Sequence, residues 1–199
     1  MEVNASTGRV VSARWLPSPN CDKRPDGTTV DLLVLHNISL PAGQFGGPFI
    51  DALFTNTLDI DADPGFFDLG DVRVSAHVLI RRNGALVQYV SFNDRAWHAG
   101  PSSFGERTAC NDFSIGIELE GEDNTAFRPA QYVQLARLYI ALIATYPTLA
   151  NQPVVGHSDI APQRKTDPGP AFSWGVLGDE IKLLGGELPP RDSRSESWV

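Results

Sequence analysis

The chain carries four histidines, His36, His77, His98 and His157, among 199 residues. Two of them close short apolar runs. His36 follows LLVL at 32–35, and His157 follows Val154, Val155 and Gly156. Strand ends that open into loops are where α/β proteins place their sites, although a lone histidine there is more often a hydrogen-bonding structural residue. The loop after His157 adds weight to the other reading. It reads HSDIAPQRKTDPGP over 157–170 and returns a carboxylate, Asp167, between Thr166 and Pro168. Pro162, Pro168, Pro170 and Gly169 predict a stiff, non-helical path. His36, His157 and Asp167 make the three-ligand set of a catalytic zinc site, whose fourth position is left to water. Water held there has a pKa of about 7, so hydroxide is available at neutral pH. The alternative is an aspartate that caps a turn.

Further groups could share that chemistry. Lys165, in the same loop as Asp167, is either a fixed cation for a developing oxyanion or an ordinary solvated lysine. Glu118 lies inside the apolar segment FSIGIEL at 113–119. A carboxylate in such a strand is costly unless it is paired or works as a base. Glu120 follows on the same face, nearer the turn at Gly121, and is expected to be the more solvated of the two. Trp97 and His98, in a loop ending at Gly100, either stack on a sugar and hold a polar ligand group or form a core-edge aromatic and a turn. His77 alternates with Ala76 and Val78 and reads as a structural histidine.

The elements that must position these groups are legible in outline. The run at 32–35, bounded by Asp26-Gly27 and by Pro41 and Gly43, predicts a strand buried on both faces. The β-type runs 72–82 and 85–92 flank Asn83-Gly84, a hairpin signal that asks for positive φ at both turn positions. FSIGIEL alternates apolar with small or polar residues, as a strand does. Tyr132, Leu135, Tyr139, Leu142 and Ile143 recur at helical spacing between Pro129 and Pro147, which predicts a helix over 129–146. Shorter helices are expected at 49–54 and 174–184, and a short strand at 154–155. The order is strand, helix, hairpin, strand, helix, strand, loop, helix. That is an α/β domain with one mixed sheet between helices.

Composition narrows the rest. With Lys+Arg 16 and Asp+Glu 24 the formal charge is −8, which argues against nucleic-acid binding and against an anionic membrane surface. Cys21 and Cys110 are too few for a disulfide scaffold or an all-cysteine zinc site, and read as free thiols of a reducing compartment. Residues 1–30 are interrupted by Arg9, Arg14, Asp22, Lys23, Arg24 and Asp26, which leaves no signal-peptide core. No apolar stretch reaches the roughly 20 residues of a membrane span. The expectation is a cytoplasmic protein of one domain over 1–185, followed by a flexible tail over 186–199, GELPPRDSRSESWV.

Six segments carry a family resemblance: LPSPNCDKRP (16–25), LLVLHNISLPAGQFGGPFIDALF (32–54), VRVSAHVLIRRNG (72–84), RAWHAG (95–100), CNDFSIGIELEG (110–121) and GHSDIAPQRKTDPGPAF (156–172). They resemble the zinc amidases that share a family with the peptidoglycan recognition proteins. The resemblance implies a central mixed sheet flanked by helices, with zinc (Zn2+) in a groove at the strand ends. It implies His36, His157 and Asp167 as zinc ligands, Glu118 as catalytic acid/base and Lys165 as the cation at the tetrahedral intermediate. It places Asn37, Arg73, Trp97 and His98 near a muropeptide. Ala109 stands where some relatives carry Arg, so either Arg107 meets the peptide's carboxylates in its place or that contact is weaker. Gln163 replaces an acidic residue of some relatives at a position that is neither ligand nor catalytic.

The activity implied is hydrolysis of the amide between 1,6-anhydro-N-acetylmuramic acid and L-Ala of the stem peptide, in peptidoglycan recycling. The enzyme would act as a monomer on an anhydromuropeptide, with neither nucleic acid nor membrane as partner. Zinc, Lys165 and Arg73 would make the cleft positive within an acidic surface. Two alternatives stand beside it. An amidase of intact murein, exported or of phage-lysin type, calls for an export route and a wall-binding domain. A non-catalytic muropeptide-binding module calls for loss of Glu118, of Lys165 or of the open metal position.

Overall fold

The structure, a computed structural model, describes residues 1–191. Its strands are β1 (Val3–Asn4), β2 (Arg9–Val10), β3 (Arg14–Trp15), β4 (Cys21–Lys23), β5 (Leu32–Ile38), β6 (Val78–Ile80), β7 (Leu86–Gln88), β8 (Asp94–Ala96), β9 (Ser103–Phe104), β10 (Arg107–Thr108), β11 (Ser114–Glu120) and β12 (Val154–Gly156). Its α-helices are α1 (Phe49–Phe54), α2 (Pro129–Thr145), α3 (His157–Ile160) and α4 (Trp174–Leu183). Six strands form the central sheet in the order β12-β5-β11-β6-β7-β3. The first four run parallel, and β7 turns antiparallel to β6. The sheet is therefore mixed, as the order of elements predicts. Among the described residues no helix is long and apolar enough to cross a membrane.

Alternation along the central strands sorts the two faces. Leu33, Leu35, Ile115, Ile117 and Leu119 pack with Val78, Ile80 and Val154 into the larger core. That core also takes Tyr132, Leu135, Tyr139 and Leu142, the stripe that the spacing in α2 predicts. Each fully buried Leu or Ile contributes roughly 1.5–3 kcal/mol, so this face holds the frame. Gln131 pins the helix start: its amide donates to the carbonyls of Ile80 and Glu120, at 3.2 and 3.0 Å. The opposite face of β11 shows Ser114, Gly116, Glu118 and Glu120, a polar seam between two smaller cores. Parallel register sets Glu118 beside His36 and Gly156 beside Leu35. Three adjacent strands thus deliver Glu118, His36 and His157 to one end of the sheet.

Several expectations are corrected. Strand β5 continues to Ile38, so His36 lies inside it and not just beyond it. Only Val78–Ile80 and Leu86–Gln88 of the two long β-type runs join the ladder. The Asn83-Gly84 turn has a single positive φ, at Gly84 (84°). Gly84 N–H donates to the Arg81 carbonyl at 2.8 Å, and the Asn83 side chain accepts the Ala85 N–H at 3.0 Å. The hairpin closes through a turn and a left-handed glycine instead of a two-residue loop. The loop from His157 opens with one helical turn, α3, because its prolines come later and Asp159 Oδ2 accepts the Gly156 N–H at 2.7 Å.

Of the tail expected over 186–199, residues 186–191 are described, and they pack on the domain. The Glu187 carbonyl accepts from Tyr139 Oη at 3.1 Å, Leu188 packs on the main core, and Arg191 stacks over Trp174. The remainder of that tail, 192–199, lies outside the described residues.

Candidate metal centre and groove

His36 and His157 are 2% and 3% exposed, and Asp167 reaches them from the proline-rich loop. His36 Nδ1 lies 2.9 Å from His157 Nδ1 and 3.0 Å from Asp167 Oδ2, and His157 Nδ1 lies 3.1 Å from the same oxygen. A tetrahedral zinc ion with bonds of about 2.0–2.1 Å separates its ligand atoms by about 3.3 Å. The triangle fits that ion after minor spreading. The outer nitrogens agree. His157 Nε2 donates to the Ala99 carbonyl at 3.0 Å, which leaves Nδ1 of the neutral ring as a lone pair. His36 turns Nε2 to His98 Nδ1, at 2.9 Å. Burial lowers the His36 pKa to about 4, so its ring is neutral at pH 7. Among the described residues this trio is the one His/Cys/Asp/Glu group suited to a metal ion; Cys21 and Cys110 are free thiols outside it.

Glu118 and Glu120 share a face but differ in company. Glu118 is 8% exposed, and its buried Oε2 has no hydrogen-bond partner among the described residues. Burial first, and then the charge of Asp167, push its carboxyl well above the ordinary range, with Lys165 pulling the other way. A carboxylate left this way is poised to take up and release a proton. Glu120 reverses the expectation of solvent. It is 1% exposed and accepts from Arg81 at 3.0 Å, from the Gly46 N–H at 2.7 Å and from the Arg82 N–H at 2.9 Å. Its company comes from residues distant in sequence, which proximity to a turn does not reveal.

An open groove of about 610 Å³ runs along the loop, walled by Asn37, Glu122, Asp123, Arg164, Lys165 and Asp167 among others. Lys165 is exposed there, and its Nζ makes no hydrogen bond or ion pair among the described residues. Asn37 also stands in the wall, but its amide is committed. Nδ2 donates to Asp123 Oδ1 at 2.7 Å and to the Pro168 carbonyl at 3.0 Å, which ties the metal loop to β5.

Arg73, Trp97, His98 and Arg107 are not among the groove residues. Arg73 faces a separate small hollow with Leu53, Leu58 and Leu69, its guanidinium on the Gly70 and Val72 carbonyls. Arg107 pairs with Asp31 at 2.9 Å and lies over Phe113. Trp97 is half-buried, its backbone N–H donating to Ser75 Oγ at 3.0 Å. His98 is buried beneath the site. The cleft cation expected from Arg73 is instead Arg164, which donates to the Ala99 and Pro101 carbonyls. Its adjacency to Lys165 was the available signal; Asp123 carried none. His77 is the structural histidine expected, its Nδ1 accepting the Gly116 N–H and its Nε2 donating to the Asp94 carbonyl.

Residues 26–170 match the family model of N-acetylmuramoyl-L-alanine amidases, a span that encloses the whole site. The chain belongs to that family. Within it, the chain is 61% identical over 167 residues to 1,6-anhydro-N-acetylmuramyl-L-alanine amidase AmpD of Escherichia coli (strain K12), covering 84% of this chain and 91% of that one. A crystal structure of an Se-Met AmpD derivative superposes with a TM-score of 0.88 at 56% identity, over 91% of this chain and 99% of that chain. The E. coli amidase AmiD, in complex with the substrate anhydro-N-acetylmuramic acid-L-Ala-D-γ-Glu-L-Lys, is more distant. It gives a TM-score of 0.56 at 32% identity, over 87% of this chain and 65% of that one.

Proposed function

We propose that the chain hydrolyses the amide between 1,6-anhydro-N-acetylmuramic acid and the L-Ala of the stem peptide, with zinc as cofactor, in peptidoglycan recycling. One observation carries the reading: 61% identity to AmpD over 84% of this chain and 91% of that one. We place the enzyme in the cytoplasm as a monomer, with an anhydromuropeptide as its partner and neither nucleic acid nor membrane. The two free thiols suit a reducing compartment, and a net charge of −8 disfavours polyanions and anionic bilayers.

His36, His157 and Asp167 would hold the metal. Bound zinc supplies Lewis acidity, polarising a carbonyl and bringing the pKa of a water to about 7. The chain's own groups do the rest. Glu118 takes the proton of the attacking water and passes one to the leaving L-Ala nitrogen. Lys165, exposed in the groove wall, meets the oxyanion. Asn37 and Asp123 hold the Pro168 segment, and with it Asp167, in place.

The test is incubation of the purified chain with an anhydromuropeptide and with intact murein, with and without a chelator. Release of a stem peptide headed by L-Ala from the anhydromuropeptide, abolished by the chelator and restored by zinc, is the expected result. Preference for intact murein would favour a wall-lytic amidase instead. No release from either would leave a binding module.

A further inference from the structure

We propose that the His98-Ala99 pair, clamped by Asn111, is a clip that sets the proton positions of both candidate metal histidines, with His98 as its positioning residue. The inference rests on the metal reading of His36, His157 and Asp167. His98 is then no contact for a sugar; it works from below the site.

The direction of each hydrogen bond follows from a fixed end. Ser114 Oγ lies 2.6 Å from the Cys110 carbonyl, which only accepts, so the hydroxyl proton points there. The hydroxyl oxygen offers a lone pair to His98 Nε2 at 3.1 Å, so that nitrogen carries the ring proton. His98 Nδ1 must therefore accept, and its neighbour at 2.9 Å is His36 Nε2. His36 is left with Nδ1 bare, facing His157 and Asp167. The same segment serves the second ligand. The carbonyl of Ala99, next in the chain after His98, accepts the His157 Nε2 proton at 3.0 Å.

Two features hold the clip. Asn111 Oδ1 accepts the N–H of His98 at 3.1 Å and of Ala99 at 2.8 Å, fixing the backbone from which both outer partners hang. Gly116 gives the His98 ring its seat. A Cβ there would fall 2.4 Å from His98 Cγ and 2.5 Å from Nδ1, so the ring lies directly on the backbone of β11. Outer partners of this kind orient a metal histidine, and their loss typically costs about 10–100-fold in metal affinity.

The experiment measures zinc affinity of the full chain by competition with a chromophoric chelator. It adds the visible spectrum of the Co2+-substituted protein and thermal unfolding of the metal-free form. His98→Leu should weaken zinc about 10–100-fold. His98→Asn, whose Oδ1 offers an acceptor near the lost Nδ1, should recover most of that. Ser114→Ala removes one hydroxyl, should weaken zinc about tenfold and should shift the cobalt spectrum; it decides the matter if His98→Leu does not fold. A wild type that holds no zinc overturns the metal reading and the clip with it. A wild type that holds zinc, with Ser114→Ala and His98→Leu holding it as tightly and with unchanged cobalt spectra, overturns the clip alone.

Discussion

Replacing Glu120 by alanine should damage the fold, not the chemistry. The carboxylate is 1% exposed and accepts from Arg81, the Gly46 N–H and the Arg82 N–H. Its loss leaves the largely buried Arg81 guanidinium and the Gly46 and Arg82 N–H groups without that partner. Removing one partner of a buried ion pair typically costs about 3–5 kcal/mol. Arg81 keeps Asp51, at 2.8 Å, which limits the loss to the lower part of that range. The Arg82 N–H, half-buried, adds about 1–3 kcal/mol where water does not replace the lost acceptor, whereas Gly46 is exposed and its N–H is re-solvated. An estimate of about 3–5 kcal/mol is a large share of the 5–15 kcal/mol that stabilises a domain. For a chain of this length it lowers the Tm by about 6–20 °C. The assay is thermal unfolding by circular dichroism with a chelator present, so that metal does not mask the change. A Glu120→Ala Tm within about 2 °C of wild type would show that the buried pair is not what holds these strand ends together.

Glu118→Gln should do the opposite. It neutralises a buried carboxyl whose Oε2 has no partner among the described residues, so the metal-free Tm should hold or rise while turnover falls about 10²–10⁴-fold with zinc content unchanged. Lys165→Ala should cut kcat about 10²–10³-fold and change KM less, read by steady-state kinetics on an anhydromuropeptide; a kcat within a few-fold of wild type removes it from the mechanism. Burial holds His77 well below its ordinary pKa. It therefore stays neutral in the fold, whereas the unfolded chain takes up a proton below about pH 6.5. Its stability contribution is whole above that pH and falls by up to about 1.4 kcal/mol per pH unit below it. The urea midpoint of the chelated protein should drop between pH 6.5 and 5, and a flat profile would contradict the buried neutral ring. Ala109 sits at φ 57°, a left-handed conformation that costs an L-residue about 1–2 kcal/mol. Ala109→Gly should raise the Tm by a few degrees, and a lower Tm would show that the methyl group matters more than the backbone.

Physical scale explains which features could be read from the chain. Strand β5, strand β11 and helix α2 announce themselves because each meets the core through its own periodicity, and the alternation in FSIGIEL separates core face from site face before any contact is known. The candidate metal trio is legible because two short apolar runs leading into histidines and a proline-rich loop constrain where it can form. The burial of Glu120 is not, since Arg81, Arg82 and Gly46 come from other parts of the chain. Strands β1 to β4 have two or three residues each and owe their form to edges they pair with, which local pattern does not encode. The resemblance puts Arg73 near the ligand, and Ala109 invites Arg107 to replace the Arg of some relatives, but a matching position does not reveal the partners a side chain takes: Arg73 donates to carbonyls and Arg107 pairs with Asp31.

The four histidines form one continuous line: His157 touches His36, His36 touches His98, and the His98 ring lies 5.7 Å from that of His77. The chain contains no other histidine. Selective ¹⁵N-histidine labelling therefore yields an NMR spectrum whose ring resonances come only from the candidate metal histidines, from His98 beneath them and from structural His77. Nitrogen shifts separate protonated from bare ring positions, so the spectrum reads the tautomer of each ring one by one, before and after metal is added. A protein of this size seldom offers a label whose background is empty, and here the sequence supplies it without a mutation.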